Sequence, residues 1–221
     1  MTAPAGPDLS FAVTGAQEER FAALPTLRFR LEITSTGAGP ISSIALTTSI
    51  RIDVARRRYQ QRAHRALTEL FGVPEQWGST MHPLTWTRTT VHVPAFDGRT
   101  RVDLPVECSY DTELAMTKYL RAVDEGDVPL DFLFSGTVFH QAPGGGMLAG
   151  RIPWSQEATY PLPASLWHGL TDRYHPGGPW LRLSRDTYER LDAYRAGRVL
   201  GTPDDAVRAL LDTTLQHPGT P

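Results

Sequence analysis

A chain of 221 residues, 40% hydrophobic and 21% charged, has enough apolar material for one sizeable core. Its formal net charge of −2 supplies no general field to draw in nucleic acid or an anionic membrane. The lone cysteine, Cys108, excludes an internal disulfide framework and any cysteine cluster for zinc or iron–sulfur ligation.

No stretch approaches the roughly 18 apolar residues that a spanning helix needs, and residues 1–7 lack both the basic and the apolar parts of a leader. The expectation is a cytoplasmic chain whose partner is another protein, with no nucleic acid and no membrane. From residue 8 to 13 polar and apolar side chains alternate. Leu27, Phe29, Leu31 and Ile33 then share one side of a run whose other side carries Arg28, Arg30 and Glu32, the pattern of a half-buried strand. Ile44, Leu46, Thr48, Ile50, Ile52 and Val54 repeat it beyond a Gly-Ala-Gly-Pro turn, so the two long runs are expected to pair antiparallel. Ala63, Ala66, Leu67, Leu70 and Phe71 recur at helical spacing and predict a short helix closed by Gly72 and Pro74. Trp77 and Met81 follow in an irregular stretch and are expected to plug a gap at the sheet edge. Residues 85–93 and 102–108 are strand-like, and the Asp97-Gly98 turn between them predicts a hairpin.

Asp111 is the expected N-cap, with Glu113 in the first turn, of a helix burying Ala115, Met116, Tyr119, Leu120 and Val123. Residues 129–139 come next. Leu130, Phe132, Phe134 and Val138 fall on one side of this run and Leu133 and Phe139 on the other, which predicts a central strand shielded on both faces. Pro129 suits its first position, and Gly136 marks a close backbone approach or a bulge. Two shorter strands are expected within 147–154 and 157–162. Pro163 opens a helix with Leu166, Trp167, Leu170 and Tyr174 on its apolar side. A brief extended piece at 180–183 precedes two closing helices. The first is N-capped by Ser184, with Tyr188, Leu191 and Tyr194 inward. The second starts at Thr202-Pro203-Asp204-Asp205 and buries Val207, Leu210, Leu211 and Leu215.

Strands fill the first half and helices the last third, which predicts an α+β fold: a twisted antiparallel sheet, single or folded into a sandwich, with packed helices and a C-terminal helical pair. In domain terms this gives a disordered start over 1–7, a β-rich core over 8–162 with two inserted helices, a helical subregion over 163–215 packed on it, and a disordered tail over 216–221.

Chemistry is harder to find. Gly144-Gly145-Gly146 is followed by no Lys-Ser/Thr and no helix, so it is a loop tip and not a phosphate cradle. Ser135 lies inside a strand, with Leu133 where a nucleophile elbow needs glycine. Cys108 ends an apolar strand and reads as a small buried thiol. His64, His82, His92, His140, His168, His175 and His217 include no pair spaced four apart; His168 and His175 with Asp172 come nearest to a site, and neither metal nor cofactor is expected. Residues 180–215 follow a strand–helix–helix order, but their arginines and acids balance, so they lack a surplus for phosphate. Two clusters remain. His140 ends the central strand, where it could form a pocket with Glu157 or Asp131. Arg56, Arg57, Arg58, Arg62 and Arg65 form a dense basic patch that is either a solvated helix face or a contact for an acidic partner.

Residues 46–52, Leu70-Phe71-Gly72, Tyr110-Asp111 with Lys118-Tyr119-Leu120, Pro129-Leu130, residues 134–139 and Ile152-Pro153-Trp154 together resemble an actinobacterial family with no assigned activity, across about residues 8–211. Members of that family lie near genes for nickel–iron hydrogenases and their maturation, so the resemblance implies an accessory or assembly factor. Residues 8–11, 27–33 and 44–54 are similar to the opening of SecB-type export chaperones, which implies a sheet of long antiparallel strands for unfolded clients. The reading that follows is a non-catalytic protein-interaction or assembly module. A SecB-like chaperone, and an enzyme or small-ligand binder with its pocket at His140, are the alternatives. Five tryptophans predict at least one exposed anchor.

Overall fold

The alternating run at the N-terminus becomes β1 (Asp8–Glu18), which pairs antiparallel with β2 (Thr26–Thr36). In this computed structural model, residues 7–36, 39–108, 114–142, 145–174 and 183–216 are described. Asp111, Glu113, His175, Trp180, His217 and both expected disordered ends, except Pro7 and Gln216, lie outside them. On its other side β2 pairs with β5 (Arg99–Glu107), giving the sheet β1-β2-β5. A second antiparallel sheet places β3 (Ile41–Ile52) between β4 (Leu84–Val93) and β6 (Asp127–Gln141). The far edge of β6 is shared by β8 (Glu157–Pro163), along its first half, and β7 (Met147–Arg151), along its last third.

The two sheets form a sandwich because each has one predominantly apolar face. Ile44, Leu46, Thr48, Ile50 and Ile52 stand across from Val138, Gly136, Phe134, Phe132 and Leu130 on the inner face of the second sheet. Phe29 of β2 meets that face edge-on, with ring centroids 5.2 Å from Phe132 and 6.1 Å from Trp86, while Phe11 stacks on Phe134 at 4.4 Å. A register shift in β3 between Ile50 and Arg51 leaves Trp86 unmatched in the ladder and turned into the core.

The antiparallel pairing expected of the two long runs does not occur, and neither does the Asp-Gly hairpin. β2 and β3 belong to different sheets, as do β4 and β5. Strands that each carry a mostly apolar face gain more by stacking those faces than by lying side by side with both faces open. The two connections therefore arch from sheet to sheet, and they are tied together: Ser35 N–H donates to Gly98 O at 2.7 Å, and Ile41 and Phe96 exchange backbone bonds of 2.9 and 3.0 Å.

Strand β6 occupies the centre of its sheet, yet it is shielded differently from expectation. Its inner face is buried, whereas Leu133 and Phe139 on the other face are only half-buried. Gly136 has φ +143°, and a Cβ there would lie 2.1 Å from the Ala45 carbonyl oxygen, so the close approach is real and only glycine fits.

Helices α1 (Gln61–Phe71), α2 (Trp77–Thr80), α3 (Leu114–Ala122) and α4 (Ala164–Tyr174) sit in connections that leave the C-terminal ends of β3, β5 and β8. The ends of β3 and β8 coincide, since Ile52 pairs with Leu130 and Pro163 with Asp127, and α3 after β5 packs against both α1 and α4. The helices therefore plug one end of the sandwich with Leu67, Phe71, Met116, Tyr119, Leu120, Trp167 and Leu170. Ala66 is exposed and Leu70 half-buried, so the α1 stripe is narrower than predicted. Trp77 covers α1 and not a sheet edge: its indole N–H donates to Gly72 O at 2.9 Å, and its ring stands 5.4 Å from Tyr59 and 4.9 Å from His64.

Contacts divide the chain into Met1–Pro176, which includes α4, and Gly177–Pro221. The second unit is a helical pair, α5 (Arg185–Gly197) and α6 (Pro203–Gln216). Ser184 caps α5 through the Thr187 amide at 3.3 Å. Thr202 and Asp205 bond each other's backbone N–H at 3.1 and 3.0 Å, a reciprocal cap for α6. Ala206 is fully buried, but Tyr188, Leu210 and Leu211 are exposed, contrary to the inward positions expected of them, because two helices crossing at a small residue bury only a narrow seam.

Candidate functional site

Where β3 gives way to α1, the sequence packs five arginines, and the fold separates them. Asp53 caps the one-turn helix at Val54–Arg56 through the Ala55 amide and, with Asp131 of β6, grips the Arg56 guanidinium. These two carboxylates, Asp53 foremost, raise the Arg56 pKa further. Arg57 donates to the carbonyls of Glu125 and Asp127 and lies against Gly126, pinning the α3–β6 connection. Arg62 pairs with Asp124 at 3.2 Å across a cleft of about 160 Å³. Arg58 and Arg65 are exposed and make no ion pair among the described residues. The basic patch thus resolves into two structural clamps, one surface pair and two open cations.

Beneath it lies a pair of tyrosine hydroxyls, Tyr119 buried and Tyr59 half-buried, that residue patterning does not reveal. Tyr59 donates to Val54 O at 2.6 Å and is 3.0 Å from the Tyr119 hydroxyl, which must therefore be the donor between them. Burial pushes the pKa of both phenols upward.

The proposed pocket residues are not brought together. His140 lies on the inner face of β6 at the loop end, with Nδ1 buried and unpartnered. Asp131 is on the opposite face, nine positions earlier, and is engaged by Arg56. Glu157 is exposed on β8, across from Leu133. His168 Nε2 is 2.9 Å from Val123 O, a bond between α4 and the end of α3. Among the described residues no three of His, Cys, Asp and Glu are grouped as metal ligands, and no helix is long and apolar enough to cross a membrane. Cys108 is buried, which pushes its thiol up to about 12, and the thiolate needed for nucleophilic attack is disfavoured.

The surface is more informative. Trp86 and Trp167 are buried and Trp77 is half-buried, but Trp154 is 90% exposed. Its loop is braced on β6: Ile152 N–H donates to Gly136 O at 3.0 Å, Phe134 N–H to Gln156 O at 2.9 Å, and Gln156 N–H closes a turn on Pro153 O at 3.1 Å. A proline before a tryptophan between two short strands was the available sequence signal. Phe21, in the β1–β2 connection, is similarly bare.

A model of a family of unknown function, DUF6084, matches residues 6–218. The chain belongs to DUF6084. The expected membership of a family with no assigned activity thus holds at that level, and residues 152–154 fall within the matched span. No curated protein matches this DUF6084 chain. Solved structures with some likeness include a β-glucosidase from Kluyveromyces marxianus (8% identity, TM-score 0.25, 70% of this chain and 15% of that one). The same enzyme with glucose (9%, 0.24, 71% and 15%) and β-glucosidase 3B from Thermotoga neapolitana with α-D-glucose (10%, 0.24, 70% and 17%) also match. At such TM-scores the likeness carries no argument, and the DUF6084 chain spans only 15% to 17% of those enzymes. The SecB-like opening divides between sheets here, with β1 and β2 in one and β3 in the other.

Proposed function

We propose that this protein is a non-catalytic protein-interaction or assembly module that engages another protein through Trp154. One observation carries the reading: a tryptophan 90% exposed on a loop held by three backbone hydrogen bonds and a proline. Such a side chain offers large contact area at little further loss of conformational entropy, and exposed tryptophans of this kind become the buried anchors of interfaces. Through the family resemblance alone, the partner is a component of nickel–iron hydrogenase assembly, for which this chain acts as an accessory factor.

Affinity capture from the native host, read by mass spectrometry, tests the proposal with Trp154→Ala beside the wild type. Removing an interface anchor costs about 2 kcal/mol or more, so the specific partner set is lost while the melting temperature stays within a degree or so. Identical partner sets for the two proteins overturn it.

A further inference from the structure

A sheet edge exposes the backbone N–H and C=O of every second residue, and the hydrogen bonds identify which residues those are. Cys108 N–H donates to Pro25 O, so β5 turns outward at Arg99, Arg101, Asp103, Pro105 and Glu107. Every position there is charged or a proline. Phe134 N–H donates to Gln156 O, so β8 turns outward at Glu157, Thr159, Pro161 and Pro163, two of which have no N–H. Asp53 N–H donates to Pro129 O, which leaves Arg88, Thr90 and His92 on the outer side of β4. Along β1 a bulge between Val13 and Gly15 interrupts the edge, and the strand runs close beside β8. Charges, prolines and bulges are how sheets prevent unwanted pairing.

Strand β7 has much less of this protection. Ile152 N–H donates to Gly136 O and Ala142 N–H to Gly146 O, so the even residues of β7 face β6, and Met147, Ala149 and Arg151 direct both backbone groups outward. All three are exposed. Met147 begins this edge and Pro153 ends its row of donors, with Trp154 immediately beyond. Arg151 makes no ion pair among the described residues.

We infer that the outer edge of β7 is a strand-addition site for an extended, alternately apolar peptide segment carrying an acidic residue across from Arg151. Only an extended chain satisfies alternate N–H and C=O groups in a row, the unpaired guanidinium selects a carboxylate, and Met147 and Trp154 select apolar side chains at the two ends. This deepens the interaction-module reading and rests on it.

The probe is an acetylated, amidated octapeptide in which leucine alternates with threonine around one glutamate, titrated into the full chain and followed by amide exchange and NMR. Saturable binding is expected to slow exchange at Ala149 and Arg151 by about tenfold or more. N-methylation at the two central peptide residues, which blocks both edges of the probe, should abolish binding. Ala149→Pro removes an N–H that the β6–β7 ladder does not use, so it should abolish binding at unchanged melting temperature. Unprotected β7 amides in the bound state, equal binding of the N-methylated probe, or no binding at millimolar peptide overturns the inference. Capture that depends on Trp154 with freely exchanging β7 amides in the purified complex removes the edge site and leaves the module. Peptide-induced protection with unchanged capture by Trp154→Ala retains the edge site and removes the anchor.

Discussion

Thr48 faces the middle of the sandwich, fully buried, with its hydroxyl unpartnered beside the Phe134 position. A buried polar atom without a hydrogen bond costs more than the apolar group that could replace it. Thr48→Val is therefore expected to raise unfolding stability by about 1 kcal/mol, read from the urea midpoint at constant m-value. The alternation that identified Thr48 as inward is the same one that carries Ile44 through Ile52, so its burial was legible in the sequence. Its lack of a partner was not, because that depends on which side chains from other strands arrive opposite it. Asp131 shows the same limit. Its position on the central strand suggests a pocket, but Arg56, which reaches it from 75 positions away, decides its role.

At the end of α5 the chain makes a two-bond C-terminal turn: Val199 N–H donates to Ala196 O and Leu200 N–H to Arg195 O. That turn places its central residue in the left-handed region, and the residue is Val199, φ +56° and 92% exposed. A β-branched side chain is strained there and makes up for little of it by packing. Val199→Gly should stabilise the helical pair by about 1 kcal/mol, seen as a rise in its thermal midpoint by far-UV circular dichroism. Helix caps such as Ser184 and Thr202 were readable because their donors and acceptors lie within three residues. Strand pairing was not. Both turns looked like hairpins, since Gly-Pro and Asp-Gly reverse the chain direction without specifying whether the next strand returns beside its predecessor or stacks over it. The narrow buried stripe of α1 and the exposed Leu210 and Leu211 have a similar origin, because periodicity marks the apolar side of a helix but not how much of it a neighbour covers.

For the whole molecule, the helical plug depends on two phenols staying protonated. Tyr59 and Tyr119 have raised pKa values in the fold, chiefly from burial, so the folded chain holds protons that the unfolded chain releases above about pH 10. Their contribution is complete below that pH and is lost as pH rises through the folded values. Urea midpoints should therefore fall from about pH 10 upward, and Tyr59→Phe should flatten the fall while lowering stability at neutral pH by about 1 kcal/mol, because Val54 O loses its donor. The sandwich also has a history in time. β1 and β2 are neighbours in the chain, but Ile44 must wait for Val138, roughly ninety residues later, before the centre of the second sheet exists. During synthesis at about 5–20 residues per second, β3 leaves the ribosome several seconds or more ahead of its mate β6. In that interval it is an aggregation hazard, so yield in the cell should respond to translation speed between codons 52 and 127 more than to any change in native stability.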